Sequence, residues 1–504
     1  MHNTSVQQDS VIQSGMLKRA LNWLESDVAN QTINHAFEAQ LKSGDQKILS
    51  VCVPIEISDP LAVLELIPKD NEFQYYWEKP VDQFAVAAHG TCEAFQASGI
   101  QRFEMVQQWV NRVKKNHYRA SMIKHRHANL SMFGGFGFFD HNNAKEWQGF
   151  GAAHFVIPEW CIIRDGQLRV VVINVKITAD RFTDVSALKT MVVNKLSALF
   201  EMLEAHRKQM RDFREDDTII EPKEELAQPL KVEDLPEEFS KWVQSIDQAK
   251  EMISKGYFEK IVIARNVHIK TNEAIRLTRV ANALRRTYPE CTSYFVGFGN
   301  GKHLIGSTPE ILASFKPNYI LTEALAGTMK RGKTASEDAM YEQKLLDSAK
   351  DREEHQYVVD AIRQQLSRFV HQVDVAKVPT IKKLNNVQHL YTPITAWKDK
   401  PVHTMSVIHA MHPTPAVGGS PNGKAVKYIK QFEEFDRGWY AAPVGWMNLS
   451  DEAEFHVAIR SALVQDNEAF LFAGCGIVAE SDAELEWKEA NLKLIPMLTA
   501  LKDA

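Results

Sequence analysis

VGFGNGKHLIG, residues Val296 to Gly306, places an Asn300-Gly301 pair between two short apolar runs. Asn-Gly tolerates the positive backbone angles of a type I′ turn, whose twist matches a pair of antiparallel strands. The stretch therefore predicts a hairpin. Upstream, EKIVIARNVHI alternates as a strand from Glu259, after Gly256 has ended a helix over Phe239–Ser254. That helix carries Trp242, Val243, Ile246, Ala249 and Ile253 at helical spacing. Downstream, EFHVAIRSALV and AFLFAGCGIV read as further strands, followed by a helix from about Asp482.

Towards the N-terminus, ILSVCVPIEI, HFVIPEW and LRVVVINVKI are β-rich, and a helix is expected over Phe95–Lys115. FGGFGFFD, Phe133 to Asp140, reads as a tight turn between strands. Hairpins interspersed with helices point to an α+β fold, with layered and mostly antiparallel sheets and helices packed outside, more than to a parallel βαβ series. The acidic, proline-bearing stretch 211–238 reads as a surface linker between an N-terminal part, 1–210, and a region 239–504. The N-terminal part is expected to supply one layer of the same fold.

The formal charge of −5, from 59 basic and 64 acidic residues, argues against nucleic acid or an anionic membrane as partner. Five scattered cysteines without C-x-x-C spacing suggest neither a disulfide framework nor a zinc site. No leader-like start and no long apolar run is visible, so a cytoplasmic protein without a transmembrane helix is expected.

Two acidic segments carry the first chemical signal. In LLDSAKDREEHQYVVDAI, Asp351 and Glu354 share a helix face. In ESDAELEWKEANLKL, Ser481 and Glu484 have capping-box spacing, and Glu486, Glu489 and Lys493 form one stripe. Carboxylates from two helices suit Mg²⁺, which favours oxygen ligands; the same acids also suit a solvated helix face. Lys260 shares a strand face with Val262 and Ala264, where a desolvated amine serves as a general base; a strand-end lysine reaching to water is the plainer reading. Glu310, in GSTPEILASF, enters an apolar run and there could keep its proton. Arg460 reads as mid-strand in FHVAIRSAL, awaiting either a ligand carboxylate or a structural ion pair. Leu325 to Thr328 and Ala473 to Gly476 offer backbone N–H groups to a ligand, or are simply turns. His412 either polarises a substrate oxygen or is a hydrogen-bonded structural residue.

These segments, from about Trp242 to Leu501 and in this order, resemble the chorismate-utilising enzymes, which include the anthranilate synthase large subunit, salicylate synthase and isochorismate synthase. The match comprises KIVIAR, GSTPEIL, ALAGTMKRG, DREEH, HPTPAVGG, EEFDRGWYAAPVGW, AIRSALV and AGCGIVAESDAELEWKE. The resemblance implies an anthranilate-synthase-large-subunit-like fold and Mg²⁺ held by Glu354 and Glu489, with Asp351 and Glu486 assisting. It implies that Arg460 pairs with a carboxylate of chorismate, and that Lys493, Gly327, Thr328, Ala416 and Gly474 line the pocket with His412. Family members that use ammonia typically carry Gln where Lys260 stands. Aminodeoxychorismate synthases tend to carry a lysine where Ala326 stands. Lys260 and Ala326 therefore imply water as nucleophile, no glutaminase subunit, and an isochorismate-forming isomerase with Lys260 as base and Glu310 as acid. The resemblance further points to the menaquinone branch. A siderophore-pathway enzyme, a salicylate synthase and a non-catalytic chorismate-binding paralogue are the alternatives.

Overall fold

The computed structural model describes residues 15–57, 59–67, 72–141, 144–215, 230, 236–385 and 387–502. Most of the acidic 211–238 stretch lies outside the described residues. Among the described residues the strands form two sheets. Twelve strands make the larger, in the order Gly419–Ser420, Lys260–Lys270, Glu468–Ile477, Ser461–Gln465, Lys302–Thr308, Thr292–Phe298, Phe73–Lys79, Phe84–His89, Trp160–Asp165, Leu168–Ile177, Lys47–Pro54 and His117–Ser121. The smaller runs Gln372–Val375, Val387–Trp397, Tyr319–Lys330, Ile311–Phe315, Ala453–Val457, Pro443–Asn448, Ser131–Phe136, Ala153–Ile157 and Glu93–Ala97, with Thr380–Lys383 also on Val387–Trp397. The pairings described are antiparallel apart from Lys47–Pro54 with His117–Ser121. The α+β expectation of layered, mostly antiparallel sheets with helices outside is met.

The sheets face one another through aromatic side chains. Tyr75 meets Phe133 at 4.6 Å between ring centroids, Trp77 meets His456 at 4.8 Å, and Phe84 meets Trp446 at 5.4 Å. This is face-to-face sheet packing with large rings as filler. LRVVVINVKI is apolar at nearly every position because both its faces are covered. Val170 and Val172 belong to the core between the sheets, whereas Val171, Ile173 and Val175 belong to a second core with Leu188, Val192 and Leu196 of the helix Val185–Glu215. At the other end of the larger sheet, the helix Ala483–Lys502 packs on Glu468–Ile477 beside the helices Pro236–Ser254 and Leu277–Thr287. The helix Ala349–Leu366 covers Tyr319–Lys330 and Val387–Trp397 of the smaller sheet.

Several local expectations change. The 292–308 hairpin forms, but its loop is Gly299–Gly301, with positive φ at the two glycines and not at Asn300. Asn300 instead turns its amide to the Gln148 carbonyl and accepts from Lys302 N, so the loop is not a two-residue I′ turn. FGGFGFFD is strand up to Phe136: a Cβ on Gly134 would lie 2.0 Å from the His154 carbonyl oxygen, so the glycine answers a close backbone approach. Phe95 lies in a strand, and the helix there starts at Arg102. The N-terminal part supplies both layers, since Phe73–Lys79 pairs with Thr292–Phe298 and Ser131–Phe136 with Pro443–Asn448.

Candidate active site

Glu310 and Arg460 stand at two places where the chain steps between the sheets. Pro309-Glu310 joins Lys302–Thr308 of the larger sheet to Ile311–Phe315 of the smaller. Ala458 to Arg460 joins Ala453–Val457 back to Ser461–Gln465. The two crossings are bonded to each other: Val457 N to Glu310 O at 3.1 Å, Ser307 N to Arg460 O at 3.1 Å, and Thr308 Oγ1 to Val457 O at 2.7 Å. Arg460 is thus not mid-strand, as its apolar neighbours suggested, but adopts φ +52° at the crossing. Among the described residues its guanidinium has no hydrogen-bond or ion-pair partner, while its charge acts on Glu310, His389, Glu489 and Lys493. A half-buried guanidinium in this state has its donors available to an anion.

Burial pushes the Glu310 carboxyl up to about 7, and nearby Glu323 adds to the rise. The Thr414 hydroxyl, 3.3 Å from Oε1, and the charges of Arg460 and Lys382 oppose it without cancelling it. At neutral pH a substantial fraction of Glu310 therefore carries a proton, as a general acid requires.

Lys260 opens the strand Lys260–Lys270, and Nζ donates to Glu354 Oε1 at 2.7 Å. Val262 and Ala264 of this strand stand opposite Gly476 and Gly474. A Cβ on Gly476 would lie 2.4 Å from Lys260 Cε, so the missing side chain is what lets the lysine lie across the sheet. Glu354 comes from the smaller sheet's covering helix, which is not continuous with residues 345–347: Ser348 breaks the acidic segment and caps Asp351 N. Three residues on, the Tyr357 hydroxyl accepts a hydrogen bond from the Ser420 hydroxyl beside Lys260.

The second acidic helix starts on Asp482, whose Oδ1 accepts from Glu484 N and Leu485 N, and not on Ser481. Ser481 instead donates to Glu486 Oε1 at 2.9 Å. Glu489 pairs with Lys493 at 2.6 Å, and Lys493 also donates to the Gly474 carbonyl at 2.9 Å. Lys493 and Arg460 hold the Glu489 carboxyl below its ordinary range against its burial. Burial and then the charge of Glu489 raise the Glu486 carboxyl. Among the described residues, Cys475, Glu486 and Glu489 are the one trio of potential ligands whose atoms all lie within 4.8 Å of one another. The Cys475 thiol, pushed up to about 12, stays neutral. The hard donors there are the two carboxylates, crowded enough that a divalent cation would relieve them, and they fit Mg²⁺. Asp351 and Glu354 stand outside that trio.

Gly327 has φ +72° at an irregularity in the pairing of Tyr319–Lys330, and a Cβ there would lie 3.2 Å from that of Asp351. This brings the ALAGT segment against the first acidic helix. His389 had no motif to single it out; its Nδ1 lies 3.1 Å from Thr328 Oγ1 and 3.2 Å from Gly327 O. Burial, helped by Arg460, lowers it to about 4, so its ring is neutral. His412 bonds the Phe138 carbonyl at 3.2 Å and sits edge-on to Phe138, held neutral near 3 by burial: the structural role of its two readings is the one with a partner. Ala416 is half-buried in the same turn, which delivers Thr414 to Glu310.

The family described as "Chorismate binding enzyme" matches residues 31–502. The chain belongs to the chorismate binding enzymes. It is 34% identical over 467 residues to the "Salicylate biosynthesis isochorismate synthase" of Pseudomonas aeruginosa, covering 92% of both chains. It is 30% identical to the "Isochorismate synthase MenF" of Bacillus subtilis, over 93% of this chain and 96% of that one. Among solved structures, the menaquinone-specific isochorismate synthase MenF of Escherichia coli superposes with TM-score 0.70 at 23% identity, over 93% of this chain and 100% of the other. Anthranilate synthase component I of Streptococcus pneumoniae gives 0.61 at 20%, covering 82% and 92%. The anthranilate-synthase-like fold of this family is therefore shown. Among the described residues, no helix is long and apolar enough to cross a membrane.

Proposed function

We propose that the chain is an isochorismate synthase, an isomerase that adds water at C2 of chorismate while the C4 hydroxyl leaves. The observation that carries this is Glu310, a half-buried carboxyl whose proton affinity lies near neutrality, close to Arg460, whose guanidinium has no partner among the described residues. The two isochorismate synthases alike over more than nine-tenths of their length support it.

In this reading Lys260 is the base that takes a proton from the attacking water. Glu310 gives its proton to the departing hydroxyl as the ring double bonds shift. Arg460 takes a substrate carboxylate, and Gly327, Thr328 and Gly474 keep the surrounding surface open to the ring. Glu354 and Glu489, with Asp351 and Glu486, would hold Mg²⁺, which supplies positive charge to orient a carboxylate and offset developing negative charge. Glu354 and Glu489 are each also ion-paired with a lysine of the site, Lys260 and Lys493. Water as nucleophile calls for no glutaminase subunit.

Incubation with chorismate, with and without Mg²⁺, tests the reading by product chromatography. Isochorismate formed only with the cation is the expected result, and accumulation of salicylate with pyruvate would sink it. Menaquinone biosynthesis is the proposed destination, on the long N-terminal half and the segment Asp436 to Trp446. The name of the Pseudomonas aeruginosa relative favours a salicylate route as the second reading. Loss of menaquinone on deletion of the gene distinguishes them.

A further inference from the structure

The backbone that carries Glu310 is gripped from behind by an ion pair to which the proposed chemistry gives no task. Lys382, on Thr380–Lys383, donates through Nζ to the Pro309 carbonyl at 3.2 Å and to Glu323 Oε1 at 2.7 Å. The same Oε1 is 3.5 Å from Ile311 N. The pair thus reaches the peptide groups on both sides of Glu310. Ile311 begins a strand whose register shifts between Ile311 and Ala313, and such a shift leaves backbone groups without ladder partners. The Glu323 side chain is only 6% exposed and that of Lys382 22%. Burying two charges is a poor way to gain stability, because aliphatic side chains of similar volume often serve as well or better. The charges facing the Glu310 carboxyl come from three elements: Glu323 on Tyr319–Lys330, Lys382 on Thr380–Lys383 and Arg460 at the neighbouring crossing, with the Thr414 hydroxyl beside them. Glu323 favours the proton on Glu310, and Lys382 and Arg460 favour its loss.

We propose that Lys382 and Glu323 are positioning residues for Glu310, fixing the chain on either side of the acid and setting one charge of each sign against its carboxyl group. This rests on Glu310 being the proton donor. The test is the pH profile of kcat with chorismate for Glu323→Gln and Lys382→Met, with Glu310→Gln as control. The donor acts protonated, so activity falls as pH rises through its titration. Glu323→Gln removes a negative charge and is expected to move that alkaline limb down by about one pH unit, and Lys382→Met to move it up by about one unit. A merely structural pair has no reason to move the limb in opposite directions. Wild-type turnover in Glu310→Gln would overturn the donor reading itself. An inactive Glu310→Gln, together with limbs that stay put or shift the same way, would overturn the positioning role alone. Should a single variant fail to fold in thermal melting, Glu323→Gln with Lys382→Met leaves no unpaired charge. A fall in kcat of about tenfold at unchanged KM is then expected, and kcat within about twofold of wild type overturns the proposal.

Discussion

Replacing Glu310 by Gln keeps the shape of the side chain and removes its transferable proton. Turnover is expected to fall by roughly 10²–10⁴-fold with chorismate binding retained, measured by steady-state kinetics beside calorimetry. Lys260→Ala should do the same from the other side of the reaction. Near-normal turnover in both would refute the acid–base assignment. Glu310 also makes a stability prediction whose sign is fixed. Its carboxyl is raised in the folded state from 4.5 to about 7, so its own contribution to folding stability is fully present at low pH and is lost as pH rises through that window. Glu310→Gln escapes this cost. It is expected to be more stable than the parent at pH 8, by about 2–3 kcal/mol, and to lose most of that advantage at pH 5. Equal denaturation midpoints at both pH values would contradict a glutamate that holds its proton in the fold.

Two glycines show how an element's packing separates activity from stability. A Cβ on Gly476 meets Lys260 Cε at 2.4 Å, the mobile part of a flexible side chain. Gly476→Ala should therefore displace the lysine, lowering turnover while leaving the melting temperature nearly unchanged. A Cβ on Gly134 meets backbone, the His154 carbonyl oxygen at 2.0 Å, and Gly134→Ala should destabilise by about 3 kcal/mol or more in denaturant unfolding. The same contrast explains what was legible in the sequence. Strands and helices with a clear apolar period, such as Lys260–Lys270 and Pro236–Ser254, stand where that period puts them. Gly134 misleads because a glycine answering a neighbouring strand looks, in one dimension, like a glycine making a turn. Arg460 misleads because its apolar neighbours continue across a step between sheets that no local pattern marks. The members of the site were readable as residue types, and the family motifs collected them. Thr414, His389, Lys382 and Glu323 stayed hidden because their parts depend on contacts across 59 to 104 residues of chain.

At the scale of the whole molecule, the two halves of the chain share both sheets and are tied by charge as well. Arg285 joins Asp59 at 2.5 Å and Glu78 at 2.8 Å, and Glu78 also holds Arg164 at 2.5 Å. Arg285→Ala should cost about 2–3 kcal/mol in denaturant unfolding. This is less than a fully buried pair because Asp59 keeps some solvent and Glu78 keeps Arg164. A 239–504 fragment would expose the unpaired edges of Thr292–Phe298 and Pro443–Asn448, and is expected to be insoluble and inactive on expression. Soluble, active fragment would show that the first half is dispensable. The stitched pair of crossings has a practical corollary for anyone seeking to widen the range of rings this protein accepts. Glu310 and Arg460 ride on one hydrogen-bonded joint, so their separation resists adjustment by any single exchange. Libraries that vary Lys260 and the two acidic helices around it, while sparing 307–311 and 457–461, give the better odds of new chemistry in a protein that still folds.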